Sequence, residues 1–240
     1  MRTVAASMIE FRGVTKGFDG VPVLQDVSCT VPDHTVAVII GRSGSGKSTL
    51  LRLLAGLEEP DEGIILIDGR CMSRPGFCEH PSRRGIGMMF QSPALWPHMT
   101  VADHLRFVLE EHPEAEQEKR VNELLGLTGL KRLGNRYPNR LSMGEARRTS
   151  LARALVVHPR CLLLDEPLTS LDPDMKKSLL PLIKKTIRES GASTLYVTHD
   201  RSEAQWIGDI FFELSDGILC PLSSLEDQGE DQQSIRDLGP

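Results

Sequence analysis

Short apolar runs alternate with amphipathic stretches along most of the chain. Residues 8–31 alternate between apolar and polar positions around turn residues at 17–20, a pattern that predicts antiparallel strands. Compact apolar runs predict further strands at 36–40, 64–67, 85–90, 161–164, 193–198, 210–214 and 217–220. Helical periodicity predicts helices at 50–56, 101–110, 114–125, 144–157 and 174–190. Strands that alternate with helices favour an α/β fold with a mostly parallel sheet.

The domain prediction follows from where these patterns are concentrated. The antiparallel strands come first, and helical patterns dominate from about residue 93 to 158, which predicts a helical subdomain inserted between two strands of the sheet. We expect one domain over residues 1–221. Residues 222–240 carry five acidic side chains against one arginine, and we expect a flexible acidic tail there.

Composition and charge narrow the class of protein. Hydrophobic residues make up 40% of the chain and charged residues 25%, as in soluble globular proteins. The net charge is −5, and the tail supplies −4 of it (five acidic residues, one arginine). The near-neutral body has no broad basic surface for nucleic acid, although net charge leaves local basic patches open, and we expect no nucleic-acid partner. Five cysteines at irregular spacing favour a reducing compartment. No apolar run is long enough for a signal peptide or a bilayer span, so we expect any membrane-spanning part in another chain.

A glycine-rich loop follows the predicted strand 36–40 and precedes a predicted helix. Residues 41–48 fit the phosphate-loop pattern G-x-x-x-x-G-K-[ST], in which backbone N–H groups surround phosphate oxygens. Lys47 can reach the β- and γ-phosphates, and the Ser48 hydroxyl can bind Mg²⁺. The predicted ATP-binding residues of this loop are Gly41, Arg42, Ser43, Gly44, Ser45, Gly46, Lys47, Ser48 and Thr49. Taken alone, the loop indicates a nucleoside triphosphate and leaves kinases, GTPases and ATPases open.

Two carboxylates follow the apolar run 161–164. They stand at the C-terminal end of a predicted buried strand, where ligands bind in open α/β sheets. Asp165 is suited to hold Mg²⁺, and Glu166 can polarise a water molecule for attack on the γ-phosphate.

Residues 141–148, Leu-Ser-Met-Gly-Glu-Ala-Arg-Arg, resemble the ABC signature, usually read LSGGQ. Four further positions resemble ABC motifs and follow the family's order along the chain. Phe18 resembles the aromatic residue that stacks on adenine, and Gln91 resembles the glutamine of the Q-loop. Residues 170–172 resemble the D-loop, and His199 resembles the switch histidine. Over about residues 8–220 the chain is similar to the ATP-binding subunits of ABC transporters. Alone, Phe18 could be a core aromatic, Gln91 an ordinary loop residue and His199 a satisfied histidine at the start of a helix.

The resemblance implies a head-to-tail dimer, of two copies or of paired ABC subunits, with ATP between them. The signature residues Ser142, Met143, Gly144 and Glu145 would contact the partner subunit's ATP, with Asp172 in the D-loop. Glu166 and His199 would be catalytic, and Ser48, Gln91 and Asp165 would hold Mg²⁺. The chain departs from the family at Met143 and Glu145, which replace a glycine and a glutamine of the signature.

Residues 90–101 and 165–172 are similar to segments of importer ATPases, which favours import. In that family the region after the Q-loop receives a transmembrane permease, so Leu95 and Trp96 are candidate contacts, unless both pack in the core. The expected location is cytoplasmic, peripheral on the inner face of the cell membrane. An alternative is an ABC ATPase without a membrane partner. Two kinds of such ATPase are disfavoured. The DNA-type members carry long coiled coils, for which the interval from Lys47 to Ser142 is too short. The ribosome-type members carry two ATPase units in one chain, whereas this sequence contains one.

Overall fold

The computed structural model describes residues 7–225, so the predicted acidic tail lies outside the described residues from position 226 onward. The chain divides into two compact units. The first unit is Met1–Ile86 together with Ser193–Pro240, and the second unit is Gly87–Ala192.

The first unit begins with an antiparallel sheet. Its strands, in the spatial order β2-β1-β4-β5-β6, are β1 Ser7–Phe18, β2 Val21–Pro32, β4 Glu62–Ile67, β5 Arg70–Arg74 and β6 Phe77–Cys78. Strand β1 lies between β2 and β4, with Phe11 opposite both Cys29 and Ile65. Because alternate residues of a strand share one face, the apolar side chains of Ile9 and Phe11 are buried together.

A second set of strands in the first unit holds the phosphate loop. Strands β11-β10-β3-β9 lie side by side, and they are β3 Val36–Ile40, β9 Ser193–Thr198, β10 Ile210–Ser215 and β11 Ile218–Leu222. Strand β3 pairs in parallel with β9 and β10, whereas β11 is antiparallel to β10. All five residues of β3 and all six of β9 are buried, as expected of parallel strands covered on both faces. Helix α1, Lys47–Ala55, follows β3 through the loop.

Arg84 fixes the C-terminal end of α1 inside the first unit. Its side chain is buried, and one guanidinium nitrogen donates to the carbonyls of Leu53 (3.2 Å) and Leu54 (2.9 Å). Another donates to the carbonyl of Met72 (3.0 Å) in β5. A Cβ added at Gly56, the residue that ends α1, would lie 2.4 Å from Arg84 Nε. Arg84 therefore binds carbonyls in the last turn of α1, where the bonds of the helix interior end; the Leu53 carbonyl also accepts from the N–H of Gly56 at 3.2 Å.

The second unit carries the long helices. Its elements are α2 Val101–Val108, α3 Glu114–Leu127, α4 Met143–Leu155, β8 Cys161–Asp165 and α5 Pro173–Ser190, and β7 Ile86–Met89 begins at its boundary. Strands β7 and β8 are neighbours in a sheet, and all five residues of β8 are buried. Within residues 7–225, no helix is both long and apolar enough to cross a bilayer.

The predicted fold class is confirmed. The chain has an N-terminal antiparallel sheet, parallel strands next to the phosphate loop, and a run of helices that comes between β7 and β9 in the sequence. Strands β5 and β6 and helix α6, Arg201–Ile207, were not predicted. Strand β5 has adjacent buried residues, Met72 and Ser73, beside an irregularity in its pairing with β4, so the apolar alternation is lost. Helix α6 has seven residues, too few for helical periodicity to be recognised. The bounds predicted for the helical subdomain, about 93–158, stay a prediction.

Candidate functional site

Two positions of the phosphate loop, Gly41 and Gly46, have a backbone environment that suits glycine and no larger residue. A Cβ at Gly41 would lie 2.5 Å from the carbonyl oxygen of Leu214. Gly46 has φ +102°, and a Cβ there would lie 2.9 Å from a methyl carbon of Leu24. At Gly41 the contact is with a backbone oxygen, which cannot yield without moving a strand, and at Gly46 the positive φ disfavours any other residue even where the Leu24 side chain could shift. The loop thereby places backbone N–H groups at the N-terminus of α1, where a phosphate can bind, while those of Gly41 and Ser45 donate to the carbonyls of Thr198 (3.3 Å) and Arg42 (3.2 Å).

Lys47 lies at the centre of this loop. Its side chain is buried, with 4% exposed, and its ammonium donates to the carbonyls of Gly41 (2.8 Å) and Arg42 (2.9 Å). Ser45 carries a buried hydroxyl oxygen that has no hydrogen-bond partner within the part of the chain that the structure describes. A fixed cation beside an unsatisfied hydroxyl and helix N–H groups suits an anionic, oxygen-rich ligand such as a phosphate.

Phe18 ends β1 and lies on the surface of the first unit. Its ring is 40% exposed, so it is not part of the buried core. The Lys16 ammonium lies 5.2 Å from the ring centroid and pairs with the Asp61 carboxylate at 3.0 Å. The pKa of Asp61 is lowered, first by the N–H of Gly17 and then by Lys16. An exposed aromatic face beside a cation could stack against a flat heterocycle.

His199 follows β9 directly and is exposed. The residues around it are held by a carboxylate that the sequence analysis missed. Glu203, which is buried, accepts hydrogen bonds from the hydroxyls of Tyr196 and Thr198 (2.6 Å to Thr198). The Thr198 hydroxyl in turn accepts from the N–H of Asp200 at 3.1 Å. His199 thus stands on a short segment that is fixed on both sides.

In the second unit, Asp165 is the last residue of β8 and Glu166 follows it, and both are buried (5% and 8% exposed). Glu166 has φ +43°, a conformation that is uncommon in residues other than glycine and that surrounding contacts must hold. Thr169 supplies two of these contacts: its hydroxyl donates to the Glu166 carboxylate at 2.7 Å, and its N–H donates to the Glu166 carbonyl at 3.2 Å. The carboxylate of Glu166 is therefore oriented by the four-residue turn 166–169.

The signature residues form the start of α4. Ser142 is its N-cap, and a capping box joins Ser142 to Glu145: the Ser142 N–H donates to the carboxylate (2.7 Å), and the Glu145 N–H donates to the Ser142 oxygen (3.2 Å). Met143 is 51% exposed, whereas Gly144 is buried beside Leu179. The helix start presents further backbone N–H groups, so it can bind an anion while the serine O–H remains a donor.

Gln91 and Asp172 are exposed residues at the ends of elements of the second unit. Asp172 is the N-cap of α5 and accepts from the N–H of Met175 at 2.9 Å. Gln91 follows β7, and its carbonyl accepts from the guanidinium of Arg147 at 2.5 Å. Arg147 is a second residue that sequence analysis missed, because its partners are backbone atoms far away along the chain.

The structure places the predicted residues in two groups. Phe18, residues 41–49 and His199 belong to the first unit. Gln91, Asp165, Glu166, residues 142–145 and Asp172 belong to the second, where the signature helix, the Gln91 segment and the Glu166 turn are in contact through Arg147.

Comparisons with known proteins place these motifs in one family. Residues 24–169 match the family described as ABC transporter. The chain is 42% identical over 221 residues to the sulfate/thiosulfate import ATP-binding protein CysA of Synechocystis sp., covering 91% of this chain and 61% of that protein. It is 37% identical to the Fe(3+) ions import ATP-binding protein FbpC of Escherichia coli, covering 92% and 63%. The chain thus spans about six-tenths of the length of these relatives.

Solved structures agree with the sequence relatives. The dimeric structure of MJ0796, a bacterial ABC transporter cassette, matches with a TM-score of 0.76 and 30% identity over 88% of this chain and 96% of that one. CbiO1 of Clostridium perfringens, part of the ABC transporter complex cbiONQ, matches with a TM-score of 0.79 and 27% identity over 90% and 87%. The predicted resemblance is confirmed, and the chain belongs to the ABC transporter family.

Proposed function

We propose that the chain binds and hydrolyses ATP as the motor subunit of an ABC membrane transporter, with import the favoured direction. The observation that carries the proposal is the phosphate loop. Its Gly41 and Gly46 leave no room for a larger residue, and its buried Lys47 ammonium is bound to the Gly41 carbonyl. The same chain carries the carboxylate pair 165–166 and the signature, and the relatives that it resembles are named import ATP-binding proteins.

In the proposed reaction, Lys47 and the loop N–H groups bind the phosphates, and Phe18 stacks on the adenine. The Glu166 carboxylate accepts the proton of the attacking water, and His199 contacts the γ-phosphate. For Mg²⁺ we propose the oxygen atoms of Ser48, Gln91 and Asp165, the donor type that this ion prefers. When bound, Mg²⁺ would neutralise charge on the β- and γ-phosphates.

We further propose that two such chains, or this chain and a paired ABC subunit, form a head-to-tail dimer. In this arrangement Ser142 and the N–H groups at the start of α4 contact the nucleotide of the partner subunit, with Met143, Gly144, Glu145 and Asp172 nearby. The dimeric structure of the MJ0796 cassette supports this proposal. ATP then joins the subunits, and its hydrolysis releases them.

A transmembrane permease is the proposed membrane partner, with the chain on the cytoplasmic face. Trp96 is 38% exposed and meets Phe107, which is 50% exposed, edge to face with ring centroids 5.2 Å apart. Two adjacent exposed aromatic rings suit a protein contact better than solvent. Leu95 is partly buried beside them. An ABC ATPase that acts without a membrane partner is the alternative function.

Nucleotide binding tests the core of the proposal. We expect Lys47→Ala to abolish binding of a fluorescent ATP analogue, because the loop loses the cation at its centre. Lys131→Ala, which removes an exposed lysine, is the matched control and should bind as the unmodified chain does. Unchanged affinity in Lys47→Ala with Mg²⁺ present would remove the phosphate-loop assignment.

Co-purification from detergent-solubilised membranes tests the transport role. A tagged chain should retain a multi-span membrane protein, and Trp96→Glu should release it while ATP hydrolysis by the isolated chain persists. Recovery of no membrane protein with the unmodified chain would favour the alternative function.

A further inference from the structure

Arg147 is a buried arginine that connects three motif segments of the second unit. It lies on α4, five residues after Ser142, and only 5% of it is exposed. Its guanidinium donates to the carbonyl of Gln91 at 2.5 Å and to that of Thr169 at 2.9 Å. A longer contact, 3.5 Å, reaches the carbonyl of Glu166. One side chain of the signature helix therefore binds the backbone of the Gln91 segment and of the Glu166 turn.

The chemistry of the guanidinium suits this position. Three carbonyl oxygens on two separate segments need several donors in a fixed, planar arrangement, which arginine supplies and lysine does not. A buried cation is also costly unless it is hydrogen-bonded, so these segments must stay where the guanidinium can reach them. Arg147 thereby limits how far the Gln91 segment and the Glu166 turn can move relative to α4.

The Glu166 turn depends on such external contacts. Glu166 has φ +43°, a conformation that surrounding contacts must hold, and the Thr169 N–H donates to the Glu166 carbonyl. The Thr169 hydroxyl orients the Glu166 carboxylate at 2.7 Å. Because Arg147 binds the Thr169 carbonyl, it holds the residue that in turn holds the carboxylate.

We propose that Arg147 is a positioning residue for ATP hydrolysis, which ties the orientation of Glu166 and the position of Gln91 to the signature helix. Movement of the start of α4 is then passed through the guanidinium to both segments. The proposal rests on the proposed function, because it takes Glu166 as the base.

Steady-state kinetics test this role. Arg147→Met removes the hydrogen bonds with little change in volume, and we expect kcat for ATP hydrolysis to fall at least about tenfold (about 1.4 kcal/mol) with KM within twofold, because the phosphate loop still carries the affinity. Arg147→Lys keeps the charge without the planar fork and should not restore kcat. Arg120→Met is the matched control, since Arg120 also binds two backbone carbonyls, those of Leu155 and Val156 (2.7 and 3.1 Å), but none in a motif segment. It should leave kcat within twofold.

A double-mutant cycle with Glu166→Gln separates positioning from general stability. If Arg147 acts through Glu166, Arg147→Met should reduce the residual turnover of Glu166→Gln by less than twofold. The same loss in both backgrounds, or an unchanged kcat in Arg147→Met, would overturn the proposal. If Arg147→Met does not fold, Arg147→Gln is used in the same cycle with the same criteria.

Hydrogen exchange distinguishes failure of this proposal from failure of the proposed function. An unmodified chain that does not hydrolyse ATP would overturn the proposed function, and the exchange rate of the Thr169 amide then decides the role of Arg147. We expect faster exchange in Arg147→Met than in Arg120→Met, because the turn loses an external contact. Equal rates would overturn the positioning role.

Discussion

His104 illustrates at the residue scale how one side chain holds a functional segment. It is fully buried, and its two ring nitrogens have opposite roles. Nε2 accepts from the backbone N–H of Trp96 (2.8 Å), and Nδ1 donates to the backbone carbonyl of Thr100 (2.7 Å). These partners require the neutral ring with its proton on Nδ1. The ring also stacks on the Trp96 indole, with centroids 5.5 Å apart. Protonation of Nε2 would break the hydrogen bond to Trp96.

Stability should therefore depend on pH through His104. Burial lowers the pKa of His104, and Arg153 and His98 act in the same direction, against Asp103 and the bond to Thr100. The unfolded chain, with a histidine pKa of about 6.5, takes up the proton first as the pH falls, so stability decreases below that value. We expect the Tm of the unmodified chain to fall more between pH 7.5 and 5.5 than that of His104→Gln. His80→Gln, which changes an exposed histidine, is the control, and equal falls in all three proteins would refute the role of His104.

Residues of the site differ in how far the sequence could predict them. Lys47, Asp165 and His199 stand at fixed places in ordered motifs, so their positions could be read from the chain. Arg147 could not, because its partners are backbone atoms that only folding brings near. The role of His104 could not either, because its residue type does not show that its ring nitrogens bind the backbone of Trp96 and Thr100. The Gln91 carbonyl is 56 positions away from Arg147, and nothing in the residue type at 91 marks its backbone as an acceptor.

At the scale of elements, the capping box at the start of α4 decides what Glu145 does. Its carboxylate accepts from the Ser142 N–H, which favours a structural role, yet it also places negative charge where the nucleotide of a partner subunit is proposed to bind. Glutamine at this position can make the same hydrogen bond without the charge. The two contributions can therefore be separated by substitution.

We expect Glu145→Gln to raise ATP turnover or nucleotide-driven dimerisation, and to do so more at low salt, where repulsion is least screened. Glu145→Ala should lose the capping bond as well and lower the Tm by about 2–4 °C, the effect of about 1 kcal/mol in a chain of this size. Turnover is measured at two salt concentrations. A Glu145→Gln protein slower than the unmodified chain would mean that the carboxylate is structural and that the electrostatic argument is wrong.

Elements were predictable where a boundary signal coincided with a long periodic segment. Helices α2 and α5 have Thr100 and Asp172 as N-caps, and both were predicted within two residues of their observed starts. Helix α1 begins at Lys47 and not at residue 50, because its first turn is the polar end of the phosphate loop and carries no apolar periodicity. The preceding Gly46 has no side chain to cap the helix, so no capping residue marks this start.

At the scale of the whole molecule, the phosphate-binding Lys47 and the proposed base Glu166 belong to different units, so one change should separate ATP binding from hydrolysis. We expect Glu166→Gln to keep ATP binding, because Lys47 is intact, and to slow turnover by about 10²–10⁴-fold, because an amide cannot accept the proton. The ATP-bound dimer should then accumulate on size exclusion. Hydrolysis at the rate of the unmodified chain would assign the base to another residue, with His199 the next candidate.

Arg84 and Gly56 have a consequence for how this sequence can diverge. Any side chain at position 56 would begin 2.4–2.7 Å from guanidinium atoms of Arg84, at a backbone angle, φ +78°, that other residues rarely adopt. Glycine at position 56 fits beside any residue at position 84, whereas a larger residue at 56 fits only where the Arg84 guanidinium is absent. A lineage that replaces Gly56 must therefore first shorten Arg84, and during that interval the Leu54 carbonyl lacks the donor that Arg84 supplied, while the Leu53 carbonyl keeps the N–H of residue 56. We expect descendants of this sequence to lose Arg84 before Gly56, and seldom to keep Arg84 alone.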